Sequence, residues 1–132
     1  MHAYQGNLLD PSGPSASLSS PHFYNFDIAA VGLGFHHFVD PDLAASRLAE
    51  RLRPGGVLVL VDFLSHDHDA TTNSTVQHHG FSEEQMRGVF GAAGAGKGFA
   101  MEEIGKGIVF EGAGGEGKRM VRRVFIARGE KE

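Results

Sequence analysis

Apolar residues along the chain fall into short blocks, and the spacing within each block predicts the elements. Phe26 to Val31 is a compact apolar run bounded by turn residues, the pattern of a strand buried on both faces. Val57 to Phe63, Val-Leu-Val-Leu-Val-Asp-Phe, is a second such strand, too short for a spanning helix and rich in β-branched residues. Between them Leu43, Ala44, Leu48 and Leu52 recur at helical spacing. Asp40 caps the start of this helix, Pro41 sits where no amide is needed, and Pro54-Gly55-Gly56 ends it. Ser82 and Gln85 form a capping box for a later helix through Met86, Val89 and Phe90, closed by the glycines from Gly91 to Gly98. Phe99 to Phe110 and Met120 to Ala127 read as two strands of a hairpin around the turn Gly112 to Gly117. His2 to Gln5 is a candidate strand running into a Pro, Ser and Gly-rich loop, and Leu64 to Gly80 is a polar loop with four histidines.

Strands alternating with helices, the strands of buried type, predict an α/β sheet that is parallel at first and closes with an antiparallel hairpin. With 132 residues there is room for one domain. Composition adds mainly exclusions. A net charge of −4, with 12 scattered Lys and Arg, builds no nucleic-acid footprint. The absence of cysteine removes disulfides, thiolate nucleophiles and Cys-ligated zinc. Neither a basic leader followed by an apolar segment nor a membrane-length apolar run occurs, so a cytoplasmic, membrane-free protein is expected.

Two glycine patterns come close to nucleotide-binding motifs and fail. Gly91 to Lys97 approaches a phosphate-binding loop, but Gly98 stands where a magnesium-binding hydroxyl is required and the segment ends a helix. Gly32-x-Gly34 follows a strand but lacks the third glycine of a dinucleotide fingerprint. His66, Asp67, His68, Asp69, His78 and His79 match no helical metal-ligand spacing, and no metal is expected.

The run from Phe26-Asp27 through His36-His37-Phe38 and Asp40-Pro41, then Leu52-Arg53-Pro54-Gly55-Gly56 and Val57 to Asp62, followed by His78-His79-Gly80-Phe81-Ser82-Glu83-Glu84-Gln85-Met86, a late helix and a closing hairpin, resembles the later half of a class I S-adenosylmethionine-dependent methyltransferase of the small-molecule type. The resemblance implies a partial Rossmann-like sheet. In the family's order, 3-2-1-4-5-7-6, the chain would begin at strand 3, His2 to Gln5. Strands 1 and 2, with the glycine-rich cofactor loop and the ribose-binding acid, would be lacking. A four-strand sheet in the order 4-5-7-6 is therefore expected, with residues 1–24 poorly anchored, residues 25–132 forming the methyltransferase portion, and Phe26 to Val31 left as an edge.

By position, the resemblance places Gly6, Asn7, Leu8, Val31, Gly32 and Leu33 against S-adenosyl-L-methionine, with Asn7 replacing the usual acid. It places His36 and His37 near the transferable methyl as catalytic candidates, since imidazole can take a proton from a nucleophilic hydroxyl or amine near neutrality. Asp62 and His79 are candidates for contact with a small-molecule acceptor. The expected activity is methyl transfer by a chain that is incomplete or inactive in isolation and binds the cofactor weakly or not at all. The alternative is a non-catalytic half-domain that pairs with itself or a partner through its exposed strand edge.

Overall fold

The computed structural model describes residues 1–65, 80–111 and 119–132, with side chains omitted at 106, 110, 111, 119 and 120. Four strands and two helices follow in the order β1 (Phe26–Gly32), α1 (Pro41–Glu50), β2 (Leu52–Phe63), α2 (Glu83–Ala92), β3 (Lys97–Glu111) and β4 (Arg119–Glu130). The sheet order is β1-β2-β4-β3, with β1 parallel to β2 and β4 antiparallel to both of its neighbours. This is the expected 4-5-7-6 arrangement, and β1 is an edge.

Local chemistry accounts for the helix boundaries. Asp40 Oδ1 accepts from the Leu43 amide at 3.0 Å and Pro41 opens α1. At α2, Ser82 Oγ accepts from the Gln85 amide at 3.1 Å and Gln85 Oε1 accepts from the Ser82 amide at 2.8 Å, which completes the capping box. The glycine run after α2 ends that helix and leads into β3, with Gly94 at φ +74, so it lies in helix-to-strand context as its composition implied.

Two expectations are corrected. The Pro-Gly-Gly segment does not end α1, which stops at Glu50. β2 begins before it, at Leu52 opposite Phe26, and the register resumes only at Val57 opposite Ile28. Residues 53–56 thus form a bulge in β2, which Pro54 tolerates because a bulged residue needs no ladder bond. A Cβ at Gly56 would lie 2.9 Å from the carbonyl oxygens of both Arg53 and Phe26, so this close approach requires glycine. The second correction is that His2 to Gln5 forms no strand. With no neighbouring strand to supply a ladder, its tyrosine instead packs edge-on against Phe23, ring centroids 5.0 Å apart.

Both helices cover one face of the sheet. Leu58, Leu60, Phe125 and Ala127 point into a core shared with Ala44, Ala45 and Ala49 of α1 and Met86, Val89 and Phe90 of α2. On the opposite face Ile28, Ile104 and Ile126 are exposed. Across the hairpin, Arg123 donates to both carboxylate oxygens of Glu103 at 2.7 and 2.6 Å, and this pairing holds the Glu103 carboxyl below its ordinary range. No described helix is long and apolar enough to cross a membrane.

Candidate functional site at the carboxyl ends of the parallel strands

β1 and β2 run parallel with Gly32 opposite Val61, so their carboxyl ends open at the same edge. Beyond β1 the chain turns sharply. Leu33 takes φ +56, unusual for a residue with a side chain, and its amide donates to the Val61 carbonyl at 2.8 Å. A single 3-10 turn, Phe35–His37, follows. Phe35 is fully buried against Phe38 and Phe81, with ring centroids 5.5 and 5.7 Å away. That anchor holds the turn and sets the direction of His36.

His36 points back at Asp62, the penultimate residue of β2. The His36 amide donates to Asp62 Oδ2 at 2.9 Å, and His36 Nδ1 lies 2.7 Å from Asp62 Oδ1. The Phe63 amide donates to that same Oδ1 at 2.7 Å. Asp62 is 0% exposed and His36 6%. Because the carboxylate only accepts, Nδ1 carries the proton in this contact, and the lone pair of the neutral ring is on Nε2. His36 also packs against Phe63, at 5.1 Å, and against the ring of the exposed His37, at 4.2 Å. The result is one oriented imidazole with a second, solvent-facing imidazole beside it.

The other candidates fall into two groups. Gly6, Asn7, Leu8 and Val31 line one cavity of about 220 Å³ together with Phe38, Ala44 and Leu48. Gly32 and Leu33 are not among its walls and stay exposed at the end of β1. Asn7 Oδ1 already accepts from the Leu9 amide at 2.9 Å, which leaves one lone pair for a ligand. The cavity is smaller than the roughly 300–1,000 Å³ of ordinary cofactor sites. It is therefore too small to enclose a whole S-adenosylmethionine. His79 and the rest of the histidine-rich loop, as well as the turn Gly112 to Gly117, lie outside the described residues. Among the described residues no cluster of three or more metal-ligating side chains occurs.

Reading the residues singly missed the pairing of Asp62 with His36, which lie 26 positions apart. A usable signal existed: adjacent parallel strands in an α/β sheet bring the residues just past their carboxyl ends together.

No family model matches the chain, and no curated protein sequence matches it. Solved structures do. Phosphoethanolamine N-methyltransferase 2 of Haemonchus contortus in complex with S-adenosyl-L-methionine superposes with a TM-score of 0.57 at 14% identity, over 80% of this chain and 33% of that one. An S-adenosylmethionine-dependent methyltransferase of Methanosarcina mazei gives 0.52 at 20% identity, over 86% and 65%. An O-methyltransferase family protein of Burkholderia thailandensis gives 0.56 at 16% identity, over 98% and 35%. The chain thus spans between 33% and 65% of the length of these structures. At such identities the likeness is one of fold. The chain has a partial Rossmann-like fold of the class I S-adenosylmethionine-dependent methyltransferase type.

Proposed function

We propose that this chain is the acceptor-side portion of a cytoplasmic S-adenosylmethionine-dependent methyltransferase acting on a small molecule, and that alone it holds the cofactor only weakly. The observation that carries this reading is the His36 and Asp62 pair at the carboxyl ends of two parallel strands in a methyltransferase-type sheet. Methyl transfer from a sulfonium depends chiefly on in-line positioning, and a base helps when the acceptor must lose a proton. His36 Nε2 would take that proton, with Asp62 stabilising the imidazolium through Nδ1. The exposed His37 would meet the acceptor or relay the proton to water. Asp62, with three N–H donors from its own chain on its carboxylate, acts through His36.

Cofactor affinity tests the reading without knowledge of the acceptor. Titrating S-adenosylhomocysteine into the labelled chain is expected to shift the amide resonances of Gly6, Asn7, Leu8 and Val31. Half-saturation should fall near about 1 mM, roughly −4 kcal/mol. Micromolar saturation would refute the weak-binding half of the proposal. Shifts confined to other residues would refute the assignment of the pocket.

A second reading is favoured by the β1 edge, where Ile28 is 61% exposed on a strand paired on one side only, with β2. Such an edge recruits another strand, so the chain would act as a non-catalytic half-domain pairing with itself or a partner. Sedimentation is then expected to show a concentration-dependent dimer that Ile28→Lys abolishes. A strict monomer with no captured partner would count against it.

A further inference from the structure

A second cavity, of about 300 Å³, lies along the β1 edge between the N-terminal segment, β1 and α1. Leu8, Leu18, Phe23, Ile28 and Leu48 make its walls apolar, and one charged residue, Arg51, completes them. It is distinct from the smaller cavity beside Asn7, although Leu8 and Leu48 border both. Arg51 is the residue that follows α1, and it is 5% exposed. Its Nη1 donates to the Leu18 carbonyl, and the Tyr24 ring lies 4.3 Å from the guanidinium carbon. Its Nε and Nη2 are buried and have no hydrogen-bond partner among the described residues.

Those two nitrogens form one side of the guanidinium, the side that receives both oxygens of a carboxylate at once. A buried cation without a counter-ion is costly, and none of the nearby acids relieves it. Asp27 binds Arg53 at 2.7 Å, Glu50 pairs with Arg47 at 3.7 Å, and among the described residues no Asp or Glu lines the cavity. The unmet need at Arg51 is thus for a planar monoanion, and the space beside it suits a hydrocarbon body.

We propose that this cavity is a binding site for a small amphiphilic carboxylate. The carboxylate sits on the Nε and Nη2 fork of Arg51, and the apolar body lies along Phe23 and Ile28. A modest rotation of the Arg51 side chain, with the Tyr24 ring following, opens the fork to the ligand. The site shares Leu8 with the proposed cofactor pocket, but none of His36, His37 and Asp62 borders it.

Octanoate serves as the probe, with octanol and acetate as its two halves. The full chain is used at low concentration so that strand pairing at β1 does not cover the cavity. Calorimetry is expected to show octanoate binding at least tenfold more tightly than either half. The Arg51 Nε–H resonance should shift on octanoate addition. In Arg51→Met the preference for octanoate over octanol disappears, while the melting temperature rises because an uncompensated buried charge has gone. Equal binding of octanol would reduce the site to a greasy cleft and overturn the proposal. Equal binding of acetate would make it a simple anion site and do the same. An Arg51 Nε–H resonance that stays fixed at octanoate saturation would overturn it too. The wild-type comparison decides the matter even if the variant fails to fold.

Discussion

Replacing Asp62 by alanine is expected to cost about 3 kcal/mol or more of folding stability, since each buried donor left without an acceptor costs about 1–3 kcal/mol. Three donors converge on its carboxylate, two from His36 and one from Phe63, and all would lose their acceptor in a site closed to water. With ordinary domains stable by only about 5–15 kcal/mol, a loss of that size shifts the urea midpoint conspicuously. Asparagine is the sharper probe. Either orientation of its amide turns an NH₂ group toward a backbone N–H, at Phe63 or at His36, so Asp62→Asn should also destabilise, by about 1–3 kcal/mol. Long-range nitrogen correlation spectra of the His36 ring separate this role from simple packing. In the wild-type chain the neutral ring should be protonated on Nδ1, and in Asp62→Ala the Nε2–H form should become populated. A wild-type His36 already protonated on Nε2 would remove the orienting role, and with it the basis for assigning Nε2 as the base.

This site shows where a sequence is readable and where it is not. The identity of β1, α1, β2 and α2 could be read from local spacing, because each depends on residues a few positions apart: Asp40 with Leu43, Ser82 with Gln85, and alternating valines in β2. The strand order came through the family resemblance. Element boundaries near glycine were less readable. Pro54-Gly55-Gly56 serves equally well as a helix stop or a strand bulge, and the choice depends on Phe26 lying alongside, opposite Leu52. The His36 and Asp62 contact is invisible to local spacing for the same reason, since strand register creates it, and it becomes legible only once the two strands are set side by side. The vacant fork on Arg51 was hidden as well. An arginine at the end of an amphipathic helix reads as a solvated charge, whereas here it is buried with Leu18 and Tyr24 of the N-terminal loop against its guanidinium.

Gly129→Ala is the other substitution with a large expected effect, and it tests how α2 is locked to the sheet. Gly129 lies in β4 opposite Leu58, in the middle of the sheet. A Cβ there would sit 2.1 Å from the Ala95 carbonyl oxygen and 2.7 Å from Phe90 Cδ1. The oxygen belongs to backbone that is itself held, because the Ala95 amide donates to the Phe90 carbonyl at 2.9 Å. The turn after α2 therefore cannot retreat without breaking that bond and lifting Phe90, which is fully buried. The expected cost is about 3 kcal/mol or more, the upper end of overpacking penalties. Gly88→Ala supplies the contrast. Gly88 lies within α2 and a Cβ there meets nothing within 4 Å, so the change should stabilise by about 0.5–1 kcal/mol. Opposite shifts of the two urea midpoints would establish that α2 rests on β4 through a contact only glycine permits. That contact bears on the site too, since Phe81 at the head of α2 packs against Phe35, and Phe35 fixes the turn that carries His36. If Gly129→Ala left stability unchanged, α2 would not be seated on β4 as described, and the support reaching Phe35 through Phe81 would have to come from elsewhere.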